Sequence, residues 1–326
     1  MASAFYPRYP GGRLHPECEA VLREIQSSGA KPMALLSPDE ARASFLDRSW
    51  LGAAPAGVRI ECRTLAGPGG ALPIRIHRPG QATPGPVLLY FHGGGFVLGA
   101  LDEFEPFCAM LAEGAGCTVV SVGYRLAPEH PFPAALEDAW AALHWVTAHR
   151  AELGGEGARL AVAGDSAGAN LAAVLCQRVR GRGFPEPSLQ ILICPWLDLS
   201  EASGGAASFH AFGAGLWLSG ASLRWFQEHY LGTAAQAEDV RVSPLRTERL
   251  EGVAPALIIT AEFDVLADQG RAYALRLEQA GIPVVFRPFP GMLHDFVTLP
   301  GRFTEARTAI GWITGAIQGL GAASGA

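Results

Sequence analysis

A mostly parallel α/β sheet covered by helices is the fold class this sequence predicts, and three observations predict it. From about Val58 onward, short β-branched or apolar runs alternate with longer amphipathic ones. There are enough short runs to build one sheet. One of them, Leu160-Ala161-Val162-Ala163, passes through Gly164-Asp165-Ser166-Ala167-Gly168 directly into a helix-forming stretch. A serine flanked by glycines at such a corner can adopt the strained backbone that lifts its hydroxyl clear of the sheet.

Taken in order, the expected strands are Val58 to Thr64, Ile74 to His77, Val87 to Phe91, Thr118 to Val122, Leu160 to Ala163, Leu189 to Cys194, Ala256 to Ala261 and Val284 to Pro288. The first two read as a hairpin. The expected helices are Phe104 to Gly114, Pro133 to His149, Ala167 to Arg180, Asp268 to Ala280 and Phe303 to Gln318. Two regions break the alternation and read as a cap over the carboxyl edge of the sheet. The division predicted is an N-terminal cap segment over 1–50, core over 51–197, a cap insertion over 198–242 and core again over 243–326. The insertion holds Phe209, Phe212, Leu216, Trp217, Trp225, Phe226 and Tyr230, which suit either a helix core or a substrate pocket. The Gly/Ala-rich end from Gly319 to Ala326 reads as a mobile tail.

Composition narrows the function. With 326 residues and 49% hydrophobic content, the chain can bury a substantial core in one large domain or two. The net charge is −6, and Lys31 is the only lysine among 25 basic residues, which form no stripe, so no nucleic-acid partner is expected. Cys18, Cys62, Cys108, Cys117, Cys176 and Cys194 show no C-x-x-C spacing, which argues against zinc and against a redox pair. The first residues lack a basic region followed by an apolar run, so a cytoplasmic location is the default. No apolar stretch reaches the ~18 residues of a membrane span, so a soluble protein without a membrane partner is expected.

A serine hydroxyl is a poor nucleophile until a base takes its proton, and that base needs a carboxylate to fix its tautomer. In elbows of this kind the acid and then the histidine follow the serine. Asp264 comes just after the Ala256 to Ala261 run and His294 shortly after Val284 to Pro288, both at carboxyl ends of strands. Among the other histidines, His15 and His77 precede the motifs, and His144 and His149 fall on a helix surface. His92 and His130 suit structural roles in their loops, and His210 and His229 belong to the cap insertion. For the acid, Asp268, Glu262, Asp198 and Asp295 compete. Asp268 is expected to cap the next helix, and Asp198 is the strongest rival because it too follows a strand. Asp165 and Glu129 suggest a paired-carboxylate mechanism, but neither is needed once Ser166 is assigned, and Glu129 is expected to hold the Arg125 to Pro133 loop.

Upstream, Val87 to Phe91 runs into His92-Gly93-Gly94-Gly95-Phe96, where bare glycine backbone offers N–H groups to a developing oxyanion. The competing readings are a flexible turn or a phosphate loop. There is no G-x-x-x-x-G-K-[ST] and no G-x-G-x-x-G opening a helix, which leaves acyl transfer as the better explanation.

His92-Gly93-Gly94-Gly95-Phe96, Tyr124-Arg125-Leu126-Ala127-Pro128-Glu129, Gly164-Asp165-Ser166-Ala167-Gly168 and His294-Asp295-Phe296 together resemble the hormone-sensitive-lipase-like group of α/β-hydrolases, also called family IV bacterial esterases. The resemblance runs from about residue 58 to residue 315. It implies an α/β-hydrolase fold with a helical cap and a triad of Ser166, Asp264 and His294. It implies an oxyanion hole from Gly93, Gly94, Gly95 and Ala167, and hydrolysis of short- to medium-chain carboxylic esters without metal or organic cofactor. A homodimer is also implied. An amidase or lactonase with the same triad is the near alternative; a non-catalytic receptor, as in plant gibberellin receptors, lacks the histidine that is present here. The group often has proline after the acid where this chain has Val265, which should loosen the turn without removing the carboxylate.

Overall fold

The computed structural model describes residues 12–44, 50–80, 84–181, 183–214 and 216–322. The eight expected strands are all present: β1 (Arg59–Gly67), β2 (Gly70–Arg78), β3 (Val87–Phe91), β4 (Thr118–Val122), β5 (Leu160–Asp165), β6 (Leu189–Ile193), β7 (Ala256–Phe263) and β8 (Val284–Leu293). They form one sheet in the order β1-β2-β4-β3-β5-β6-β7-β8. β1 and β2 are the expected hairpin, β2 also pairs antiparallel with β4, and every later pair is parallel.

The central strands are apolar on both faces because helices cover both, as parallel sheets require. In β3 the side chains of Val87, Leu89 and Phe91 enter one core, while Leu88 and Tyr90 enter the other. α3 (Leu101–Ala115) and α10 (Glu305–Ala322) close the second face, with Cys18 and Val21 of α1 (Pro16–Ser28). α4 (Ala134–Ala148) and α6 (Ala167–Val179) close the first, together with α9 (Ala267–Gln279). The short α2 (Pro38–Ala43) and α5 (Arg150–Gly154), with α7 (Ala207–Phe212) and α8 (Gly220–Tyr230) between β6 and β7, complete the helices used below.

Among the boundaries that differ from expectation, two carry a consequence. β8 continues through Pro288 and Pro290 to Leu293, because it is the edge strand and a missing N–H on its open side costs no ladder bond. α10 runs on to Ala322, so the first residues of the expected mobile tail are helical, and 323–326 lie outside the described residues. Of the expected N-terminal cap segment, 1–11 and 45–49 likewise lie outside them.

Candidate active site

β5 ends at Asp165 and α6 begins at Ala167, which leaves Ser166 alone at the corner with φ 49° and ψ −113°. A left-handed φ costs a non-glycine residue about 1–3 kcal/mol and persists only where the surroundings enforce it. Here they do. A Cβ on Gly164 would lie 2.3 Å from the Gly168 carbonyl carbon, and one on Gly168 would lie 2.0 Å from the Phe91 carbonyl oxygen. The two glycines therefore let α6 start in direct contact with the end of β3. Ser166 N–H donates to the Ile193 carbonyl (2.8 Å) and its own carbonyl accepts from Trp196 N–H (3.2 Å), fastening the corner to the end of β6.

His294 is the residue immediately after β8, and Asp264 the residue immediately after β7. All three side chains are buried. His294 Nδ1 lies 2.7 Å from Asp264 Oδ2, and Nε2 lies 3.0 Å from Ser166 Oγ. A carboxylate on Nδ1 fixes the tautomer with the proton there, which leaves Nε2 as an acceptor for the serine hydroxyl. Burial opposes charge on His294, but the carboxylates of Asp264 and then Asp295 outweigh it and raise the pKa of the imidazole well above its ordinary value.

The turn that lacks proline is secured in other ways. Asp264 Oδ1 accepts from Leu266 N–H (2.9 Å), and the Val265 carbonyl accepts from Ser208 Oγ (2.9 Å). Cys194, Asp264 and His294 bring potential ligand atoms within 4.8 Å of one another. Burial holds the Cys194 thiol well above its usual range, and the other two are bonded to each other.

The rival acids are occupied elsewhere. Asp198 Oδ1 accepts from Ser200 N–H (2.9 Å), and Glu262 Oε2 accepts from Gly291 N–H (2.7 Å). Asp268 does not cap α9, whose N-cap is Leu266. It sits in the first turn, pairs with Arg271 and accepts from Ser208 N–H (2.8 Å), so it anchors α7. Asp295 is the exception, since its Oδ2 lies 3.1 Å from His294 Nε2.

The glycine loop after β3 passes the same corner. Gly94 (φ 106°) and Gly95 (φ 61°) take conformations that residues with a side chain resist. Burial raises the Asp165 carboxyl well above its ordinary range, and the Gly93 backbone and the Tyr90 hydroxyl, which donates to Asp165 Oδ1, oppose that rise. Ala167 opens α6, so its N–H has no partner within the helix. His92 Nδ1–H donates to the Gly93 carbonyl (2.7 Å), and the ring stacks between Phe104 and Tyr124 (centroids 5.3 and 4.3 Å). His92 thus holds the turn as expected.

Three further contacts hold this loop, and the sequence did not reveal them. Phe96 stacks on Tyr230 of α8 at 3.9 Å between centroids. Phe226 of α8 fills the space beside Gly95, where a Cβ would come within 2.2 Å of its ring. Arg42 of α2 donates from Nε to the Val97 carbonyl (2.9 Å) and pairs through both terminal nitrogens with Glu129 (2.7 Å each). That pairing pulls the Glu129 carboxyl down to about 2. The aromatic pattern of α8 was visible in the sequence, but no spacing rule links it to a loop more than a hundred residues away.

Two buried histidines make stability depend on pH. Burial pushes His92 down to about 4, and burial with the nearby Arg75 does the same to His77. Both are neutral in the fold, while the unfolded chain takes up protons below about 6.5. Their stabilisation is therefore complete above that pH and lost as pH falls toward 4, on the order of 3 kcal/mol each. Thermal unfolding scans should show the midpoint falling between pH 7 and 5; a flat profile contradicts it.

A family model described as the alpha/beta hydrolase fold matches residues 88–298. The chain is 39% identical to an ethyl acetate hydrolase of Pseudomonas putida over 317 residues, covering 94% of this chain and 98% of that protein. It is 40% identical over 246 residues to carboxylesterase NlhH of Mycobacterium tuberculosis, covering 74% of this chain and 76% of the other. Among solved structures, a hyperthermophilic esterase of the archaeon Pyrobaculum calidifontis superposes with a TM-score of 0.89 at 34% identity, covering 94% of this chain and 99% of that one. With its fold and motifs matched over most of its length, the chain belongs to the α/β hydrolases, in the hormone-sensitive-lipase-like group.

Proposed function

We propose that this protein is a serine carboxylesterase that cleaves short- to medium-chain esters through an acyl-enzyme. The observation that carries this reading is the hydrogen-bond chain from Asp264 through His294 to Ser166, with links of 2.7 and 3.0 Å. Ser166 Oγ attacks the ester carbonyl as His294 Nε2 takes its proton, and the alcohol departs with that proton. Water, activated by the same nitrogen, then releases the acid. Asp264 keeps the imidazole oriented and stabilises its charged form, and amides of the loop Gly93, Gly94 and Gly95, with that of Ala167, receive the oxyanion. Relatives named ethyl acetate hydrolase and carboxylesterase support ester hydrolysis.

The division into core and cap belongs to this reading, with 1–50 and 198–242 forming the cap. Support comes from Trp225 Nε1, which donates to the Leu36 carbonyl (3.0 Å) and joins the two cap pieces, and from α8 lying on the glycine loop. An acyl site roofed in this way favours small soluble substrates. Turnover of p-nitrophenyl esters from acetate to palmitate should peak among the short- to medium-chain esters, and faster cleavage of long-chain emulsions would overturn the chain-length assignment. A cytoplasmic location also belongs to this reading. All six cysteines are free thiols, and no helix among the described residues is long and apolar enough to cross a membrane.

A homodimer through the open edge of β8 is the assembly we favour. Val285 and Trp312 are 44% and 43% exposed there, and Arg287 lies over the Trp312 ring at 3.9 Å. Light scattering on a sizing column should report a dimer that Val285→Lys converts to monomer, since a charge on an edge strand opposes pairing. A monomeric wild type ends this proposal.

A further inference from the structure

His294 Nε2 has two neighbours: Ser166 Oγ at 3.0 Å and Asp295 Oδ2 at 3.1 Å. Asp295 holds a left-handed backbone (φ 54°, ψ 20°), a conformation that aspartate and asparagine tolerate better than most residues, and this turns its side chain back toward the ring that precedes it. Its side chain is 19% exposed, yet Oδ1 is shut off from solvent and has no hydrogen-bond partner. A surface-facing aspartate would satisfy both oxygens with water or backbone N–H groups. This one leaves one oxygen unsatisfied and places the other on the imidazole.

The surrounding groups make that placement meaningful. The titratable groups around this pair are Asp165 from the elbow, Asp264 from the end of β7, Cys194 from the end of β6 and Tyr90 from β3, with the neutral Ser166 hydroxyl beside them. Because Nδ1–H is committed to Asp264, a neutral imidazole would set its Nε2 lone pair against a carboxylate oxygen. A proton between them removes that repulsion, and the first step of acyl transfer delivers one there.

We propose that Asp295 is a second carboxylate partner of His294, a positioning residue that holds the Nε2 proton between its arrival from Ser166 and its departure to the leaving oxygen. The proposal rests on the triad reading above. The Ser166 O–H bond breaks as Oγ bonds to the carbonyl carbon, and the proton moves to Nε2. The Nε2–H then lies between Asp295 Oδ2 and the leaving oxygen, and passes to the latter as the carbon–oxygen bond of the ester breaks. Burial raises the Asp295 carboxyl above its ordinary value and the charge on His294 opposes that; in the step proposed here Asp295 starts and ends as a carboxylate, and the sequence repeats with water. The same negative charge makes the imidazolium harder to discharge in the resting enzyme, so it also sets where activity fails in acid.

Asp295→Asn keeps the size and the tolerated backbone while removing the charge, and Asp295→Gly suits a left-handed position if the amide disturbs packing. The measurement is kcat/KM for p-nitrophenyl butyrate across pH, read at the isosbestic wavelength of the product, with Ser166→Ala alongside. The acid limb should move down by on the order of one pH unit in both variants, as expected for loss of a carboxylate in contact with an imidazolium. The plateau kcat should fall by roughly tenfold with KM little changed. Acid limbs that overlay the wild type overturn the role of Asp295, provided Ser166→Ala is inactive. Activity surviving in Ser166→Ala overturns the triad reading and this proposal with it.

Discussion

Ser166→Ala is expected to lower ester turnover by on the order of 10^4-fold or more while the protein stays folded. Its Oγ is the atom 3.0 Å from His294 Nε2, and nothing else at the elbow offers a nucleophile to that nitrogen. On the proposed mechanism what remains after its removal is the oxyanion donors, which position a substrate without providing a path for acyl transfer. Alanine at this position bears the same left-handed strain as serine, so the melting temperature should change little. The check pairs kcat for a soluble butyrate ester with a thermal melt. Near-wild-type turnover in a folded variant excludes Ser166 as nucleophile.

Gly168→Ala is expected to be the most damaging single-methyl change in the chain. The added Cβ would sit 2.0 Å from the Phe91 carbonyl oxygen and 2.5 Å from that of His92, and both obstacles are backbone. No side chain can rotate away to make room, so either α6 lifts off β3 or the glycine loop shifts. A loss of roughly 3 kcal/mol or more is expected, in the upper range for overpacking, with activity falling along with it. Gly315→Ala in α10 is the control. No atom lies within 4 Å of its added Cβ, and alanine is the better helix former there by about 1 kcal/mol. Urea denaturation of the two variants should move in opposite directions, and a Gly168→Ala midpoint equal to wild type would show that the elbow does not need this close approach.

Most of the scaffold was legible in the residues. The central strands are near-continuous apolar runs because they are buried on both faces, and that signal survives without any knowledge of neighbours. The elbow announced itself for a similar reason: Gly164 and Gly168 are there because backbone meets backbone, and few other residue types satisfy that demand. The order of acid and histidine after the serine pointed to Asp264 and His294, which lie at the ends of adjacent strands and are bonded to each other.

What stayed hidden depends on contacts between distant segments. Glycine composition marked residues 93 to 95 as donors without showing that Gly93 also lies against Asp165, because that residue arrives from β5. The aromatic residues of α8 read as core or pocket; their packing against Gly95 and Phe96 follows from how the chain between β6 and β7 folds back over the sheet. Asp268 looked like a helix cap, and became an anchor for α7 when that short helix packed beside it. Asp295 read as one rival acid among several until its backbone turned left-handed and set its carboxylate on Nε2. Local demands of hydrophobic period and backbone space are written along the chain, so the strands, the elbow and the chain order of Ser166, Asp264 and His294 could be read from it. Which carboxylate faces which nitrogen, and what presses on the glycine loop, depend on segments far apart in sequence that meet in the folded protein.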